Sequence, residues 1–126
     1  KGIIAMLNRL IEDGEKGEEY RFFATSLEQR NEEIQNFFRK FDIKREDKRL
    51  IVMGIAPGKI KHLFTGRKIL RMRFVDFSVP SDISIFKGKV AFIAWGDKPI
   101  GYLIRSPQIY EMFKNYFDSI WRTAKT

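Results

Sequence analysis

The chain has 126 residues, enough for one domain with a packed core, and its 44% apolar and 14% aromatic content excludes a disordered tract. The absence of cysteine excludes disulfides, a thiolate nucleophile and a cysteine-held metal, and fits a reducing cytoplasm. No apolar run approaches the ~18–20 residues that cross a bilayer and no signal-peptide pattern opens the chain, so a cytoplasmic protein with no membrane partner is expected.

Apolar residues recur at Ile3, Ile4, Leu7, Leu10 and Ile11, which predicts an amphipathic helix over 2–13. Gly14 would end it by taking a left-handed conformation cheaply. YRFFA (20–24) reads as a short aromatic strand. Ser26 with Gln29 three residues on forms a capping box for a helix over 26–41, burying Leu27, Ile34, Phe37, Phe38 and Phe41. Residues 42–48 read as a charged connection. LIVMGI (50–55) is a continuous apolar run of strand length, the pattern of a parallel strand buried on both faces. Pro57-Gly58 breaks it, and 59–64 allows about one helical turn. From Ile69 to Val75 the residues alternate, with Leu70, Met72 and Phe74 on one side and Ile69, Arg71, Arg73 and Val75 on the other.

The last third is patterned most clearly. ISIF, a Lys87-Gly88 turn, VAFIAW, a Gly96-Asp97-Lys98-Pro99 link and IGYLIR read as a three-strand meander. Ser106-Pro107 then opens a closing helix, because a serine cap and a proline at the first helical position waste no backbone donor. Ile109, Phe113, Phe117, Ile120, Trp121 and Ala124 share its apolar face. The predicted fold class is therefore α/β: a mixed sheet of about six strands with helices packed on it, ending in the meander and the C-terminal helix.

Net charge is +8, and it is concentrated. Residues 39–73 hold twelve Lys/Arg against three acids, net +9. They are Arg39, Lys40, Lys44, Arg45, Lys48, Arg49, Lys59, Lys61, Arg67, Lys68, Arg71 and Arg73. Such a block could hold a phosphate-rich partner, or could simply keep a helix end and a sheet edge soluble. Arg71 and Arg73 on one strand face could form a fork for a carboxylate or phosphate, and Trp95 at the end of the middle meander strand could line a ligand site. Catalytic patterns are missing. His62 is the one histidine, so a zinc site lacks ligands, no G-x-S-x-G marks a nucleophile, and no phosphate-binding glycine motif occurs. No enzyme, catalytic residue, metal or cofactor is expected.

Residues 81–125 resemble the end of the effector domain of archaeal TrmB-like transcriptional regulators. The resemblance rests on Lys87-Gly88-Lys89-Val90-Ala91-Phe92, on Pro99-Ile100-Gly101-Tyr102-Leu103-Ile104-Arg105-Ser106, and on the spacing Phe113…Phe117…Trp121. The helix 2–13, the strand 20–24 and the helix 26–41 occupy the family's places with looser agreement. The resemblance implies a phospholipase-D-like fold without the phospholipase reaction, since that reaction needs H-x-K and His62 is followed by Leu63 and Phe64. It also implies a single regulatory domain over 1–126 that dimerises, senses a small-molecule effector, and follows a DNA-binding helix-turn-helix. The start at Lys1, inside a helical pattern, agrees with a fragment. Sugar binding does not carry over, because in the family a further C-terminal β-domain helps to build that site. The alternative is a nucleic-acid-binding module using the basic block 39–73.

Overall fold

The computed structural model describes residues 2–25, 32–80 and 82–126, with the backbone alone for Ile34. The expected capping box at Ser26 and Gln29, and the apolar Leu27, lie outside the described residues. Elements run in the order α1 (Gly2–Ile11), β1 (Glu19–Phe23), α2 (Glu32–Asp47), β2 (Ile51–Pro57), a 3-10 helix (Gly58–Phe64), β3 (Leu70–Val75), β4 (Ile83–Phe86), β5 (Lys89–Ala94), β6 (Ile100–Arg105) and α3 (Pro107–Trp121). The strands form one six-stranded mixed sheet ordered β3-β2-β1-β4-β5-β6. The β1–β2 and β2–β3 pairs are parallel, whereas β1–β4, β4–β5 and β5–β6 are antiparallel. The reason lies in the connections. A helix or a 3-10 segment carries the chain back across the sheet in the first half, while Lys87-Gly88 and Gly96–Pro99 turn it directly in the second.

Each face of the sheet has its own core. Tyr20, Val52, Ala56, Leu70, Phe86, Ala91 and Ile93 point to one side, where they meet Leu7 and Leu10 of α1, Phe37 and Phe41 of α2, and Ile60 and Phe64 of the 3-10 helix. Phe23, Met53, Ile55, Val75, Ile83, Ile85 and Val90 point to the other, beneath Phe117 of α3. Alternation at period two thus feeds two layers from each central strand, which is why LIVMGI reads as uniformly apolar. The expected faces hold within β3, but Ile69 lies just before the strand and packs on the side of Leu70, Met72 and Phe74, not with Arg71 and Arg73.

Two local expectations are corrected. Residues 42–47 are not a loop; α2 continues to Asp47. The apolar stripe Phe37–Phe41 is extended one turn by Arg45, which is 2% exposed and enters the core on the same face. Charge in this stretch disguised a core position. Helix α2 then stops in a Schellman geometry, with Leu50 N–H donating to Arg45 C=O at 3.1 Å and Arg49 N–H to Glu46 C=O at 2.9 Å. Gly14, in turn, is not left-handed. It is glycine for space, since a Cβ there would meet Ile11 O and Phe86 Cζ at 3.1 Å.

The closing helix is set as expected. The Ser106 hydroxyl accepts from Ile109 N–H at 3.2 Å, with Pro107 in the first turn. Arg21, buried on β1, holds α3 from below by donating to Asp118 Oδ1 at 2.8 Å. Beyond α3, Lys125 bridges to Phe74 at the edge of β3.

Candidate functional site

In a mixed sheet, the place where strand order reverses leaves a gap between diverging connections. Here that place is the β1–β4 boundary, and it holds a small cavity with both apolar and polar walls. Tyr20, Phe22 and Phe23 of β1, Ser84 of β4, Ile93 of β5 and Asp82 line it, and Phe38, Arg45 and Arg67 close it from the helix side. Its volume is about 20 Å³.

The wall is built from one network of charges. Arg45 donates to Asp42 Oδ1 at 2.5 Å, and Arg67 grips the same carboxylate with two bonds of 2.9 Å. The Arg45 guanidinium lies 4.5 Å from the Phe41 ring centre and 4.9 Å from that of Tyr20, so aromatic faces replace most of its lost hydration. Burial holds Arg45 below its ordinary pKa, opposed by Tyr20 and Asp42. Burial likewise pushes the Tyr20 phenol up, against the charge of Arg45 and the Ser84 hydrogen bond. The Tyr20 hydroxyl donates to Ser84 Oγ at 2.8 Å, and Asp82 accepts from Trp95 Nε1. Among the described residues, Arg45 Nε is a buried side-chain nitrogen with no hydrogen-bond partner.

The residues singled out from sequence are placed as follows. Trp95 anchors the loop at Asp82 and packs against the core on the helix-pair side. Arg71 and Arg73 lie on the other face of the sheet, so the three do not converge. Nor do the two arginines form a fork. Arg71 is exposed, while Arg73 lies 4.3 Å over the Trp121 ring and donates to Trp121 C=O at 2.6 Å. The basic block is similarly divided. Arg45 is interior, so the expected patch of Arg39, Lys40, Lys44, Arg45, Lys48 and Arg49 loses a member. Lys44 donates to Asn8 Oδ1 at 2.9 Å and Lys48 to Glu12 C=O at 3.3 Å, both bridging to α1. Lys40 and Lys44 line a shallow groove beside the acids Glu32 and Glu33. Arg39 and Arg49 are exposed, as are Lys59, Lys61 and Lys68 farther along the chain. His62 is exposed on the 3-10 helix. Among the described residues no group of three or more His, Cys, Asp or Glu side chains could hold a metal ion, and no helix is long and apolar enough to cross a membrane.

Sequence reasoning missed the cavity network. Its one signal was spacing: Arg45 falls four residues after Phe41 and eight after Phe37, on the stripe where an apolar residue is expected.

No family model matches the chain, and no curated protein matches it significantly. A solved structure does. The fold is shared with TrmBL2. That protein is described as an archaeal chromatin protein with a novel mode of DNA binding. The superposition has a TM-score of 0.62 at 15% sequence identity and covers 98% of this chain. The chain spans about half the length of TrmBL2, 48%. At that identity the likeness to TrmBL2 is one of fold.

Proposed function

We propose that this chain is a non-catalytic regulatory domain of an archaeal TrmB-like DNA-binding regulator, phospholipase-D-like in fold, that pairs with a second copy and responds to a small-molecule effector. The observation that carries this reading is the extent of the fold match, which takes in nearly all of this chain but only half of TrmBL2. A separate helix-turn-helix would then hold the DNA. The motif resemblance over 81–125 supports it, because those residues build the meander and α3. Exposed apolar side chains on that same part support pairing: Tyr102 is 53% exposed, Met112 66% and Ile100 52%.

The alternative, nucleic-acid binding by residues 39–73, has less in its favour. Arg45, Arg67 and Arg73 are committed to internal partners, and Arg71 faces away from α2. Fluorescence anisotropy of this chain with duplex DNA, at low and near-physiological salt, separates the two. Binding that vanishes near physiological salt is expected, since only scattered phosphate contacts are available. Binding that persists there would overturn the regulatory reading in favour of the basic block.

A further inference from the structure

The cavity at the β1–β4 boundary is lined in part by Arg45, a residue with an unmet demand. Arg45 Nε–H is buried and unpartnered among the described residues, and leaving such a donor dry costs on the order of 1–3 kcal/mol. The surrounding charges balance: Arg45 and Arg67 face Asp42 and Asp82, two cations against two anions. A neutral occupant is therefore favoured over an ion of either sign. The cavity's size is equally restrictive. About 20 Å³ admits one water, which needs roughly 10–15 Å³ of such space, and nothing larger.

We propose that the cavity is a one-water site in which a single buried water accepts from Arg45 Nε–H and is shared with the hydroxyls of Tyr20 and Ser84. The chemistry of the wall suits it. Ser84 Oγ accepts from Tyr20, so the Ser84 O–H is left to donate, and the phenol oxygen retains lone pairs to accept. Water can accept from Arg45 and donate to an oxygen at once; a methyl-sized apolar group can do neither. The water also has a mechanical role. It joins α2, through Arg45, to β1 and β4, through Tyr20 and Ser84, where no direct backbone bond does so among the described residues. This inference stands apart from the proposed function and holds whether or not the chain regulates transcription.

Two measurements test it. In a chain labelled at the arginine side-chain nitrogens, a water cross-relaxation peak at the Arg45 Nε–H is expected, with the sign of a long-lived contact. In a crystal at about 1.5 Å or better, one spherical density peak between Arg45, Tyr20 and Ser84 is expected. Neither peak would mean a dry cavity and would overturn the proposal. An anomalous peak there after a bromide soak would also overturn it, in favour of an anion. Ser84→Ala is the variant of choice because it removes a hydroxyl from a small, half-buried residue. Its water peak at Arg45 should fall at least several-fold, and an unchanged peak would remove Ser84 from the site.

Discussion

At the scale of single residues, backbone shape and side-chain space make the sharpest demands. Arg49 has φ = 57°, a left-handed conformation that suits glycine, at the position that closes the Schellman motif after α2. Replacing it with glycine relieves the strain but loosens the unfolded chain. A net gain of about 0.5–1 kcal/mol is expected for Arg49→Gly in urea unfolding. Gly54 is the opposite case. Its Cβ would lie 2.3 Å from Phe22 Cζ and 2.6 Å from Met72 Sδ, both in a packed layer. Gly54→Ala should cost about 1–3 kcal/mol, read as a lower unfolding midpoint at unchanged slope. Neither requirement could be read from sequence. An arginine gives no sign of its φ, and a glycine inside LIVMGI does not announce which neighbours press against it.

At the scale of elements, charged clamps decide how the layers are held. Lys89 is buried on β5 and donates to Asp13 Oδ1 at 2.6 Å, fastening the segment after α1 to the β4–β5 hairpin. Partial burial raises the Asp13 pKa, but the hydrogen bond and charge of Lys89 outweigh it and leave it below 3.8. A depressed carboxylate stabilises the fold above its unfolded pKa and loses that contribution as pH falls through its folded pKa. Asp13→Asn should therefore flatten the loss of stability below about pH 4, measured as the unfolding midpoint at pH 3 against pH 6. Helix α3 has a comparable clamp in Arg21 and Asp118. Asp118→Ala leaves Arg21 buried with Glu19 as its remaining carboxylate, and a cost of about 2–4 kcal/mol is expected, discounted for the partial exposure of Asp118. The elements themselves were largely legible, because strand alternation, turn glycines and the Ser106-Pro107 cap each state a local rule. What stayed hidden was polar burial. The stripe of α2 ends on an arginine whose ion-pair partner, Asp42, lies one turn back on the same helix. Tyr20 of β1, which it stacks on, and Arg67, which shares Asp42, come from elsewhere, and no local pattern joins these to it. The candidate site suffered most, since Trp95 touches it only through Asp82, and Arg71 and Arg73 lie across the sheet.

At the scale of the whole molecule, the open question is what meets the apolar surface beside α3. Tyr102 opposes Phe92 across the β5–β6 pair, and the Phe92 ring lies 5.5 Å from that of Phe113. Met112 is a further exposed apolar side chain, on the helix that carries Phe113, and with Tyr102 it marks the surface in question. If two copies pair through it, Tyr102→Glu should shift the chain toward monomer by tenfold or more in dissociation constant, read by light scattering over a dilution series. Unchanged mass at every concentration would place the pairing surface elsewhere. The two borders of the sheet are unequal in this respect. On β3, Leu70 N–H already bonds to Arg67 C=O and Phe74 N–H to Lys125 C=O, so of the alternate outward donors Met72 alone is left for a newcomer. On β6 no described strand lies beyond. If copies were to join edge to edge, β6 is the border with donors to spare, and joining through it would leave each copy only the obstructed β3 border, which favours a closed pair over a filament.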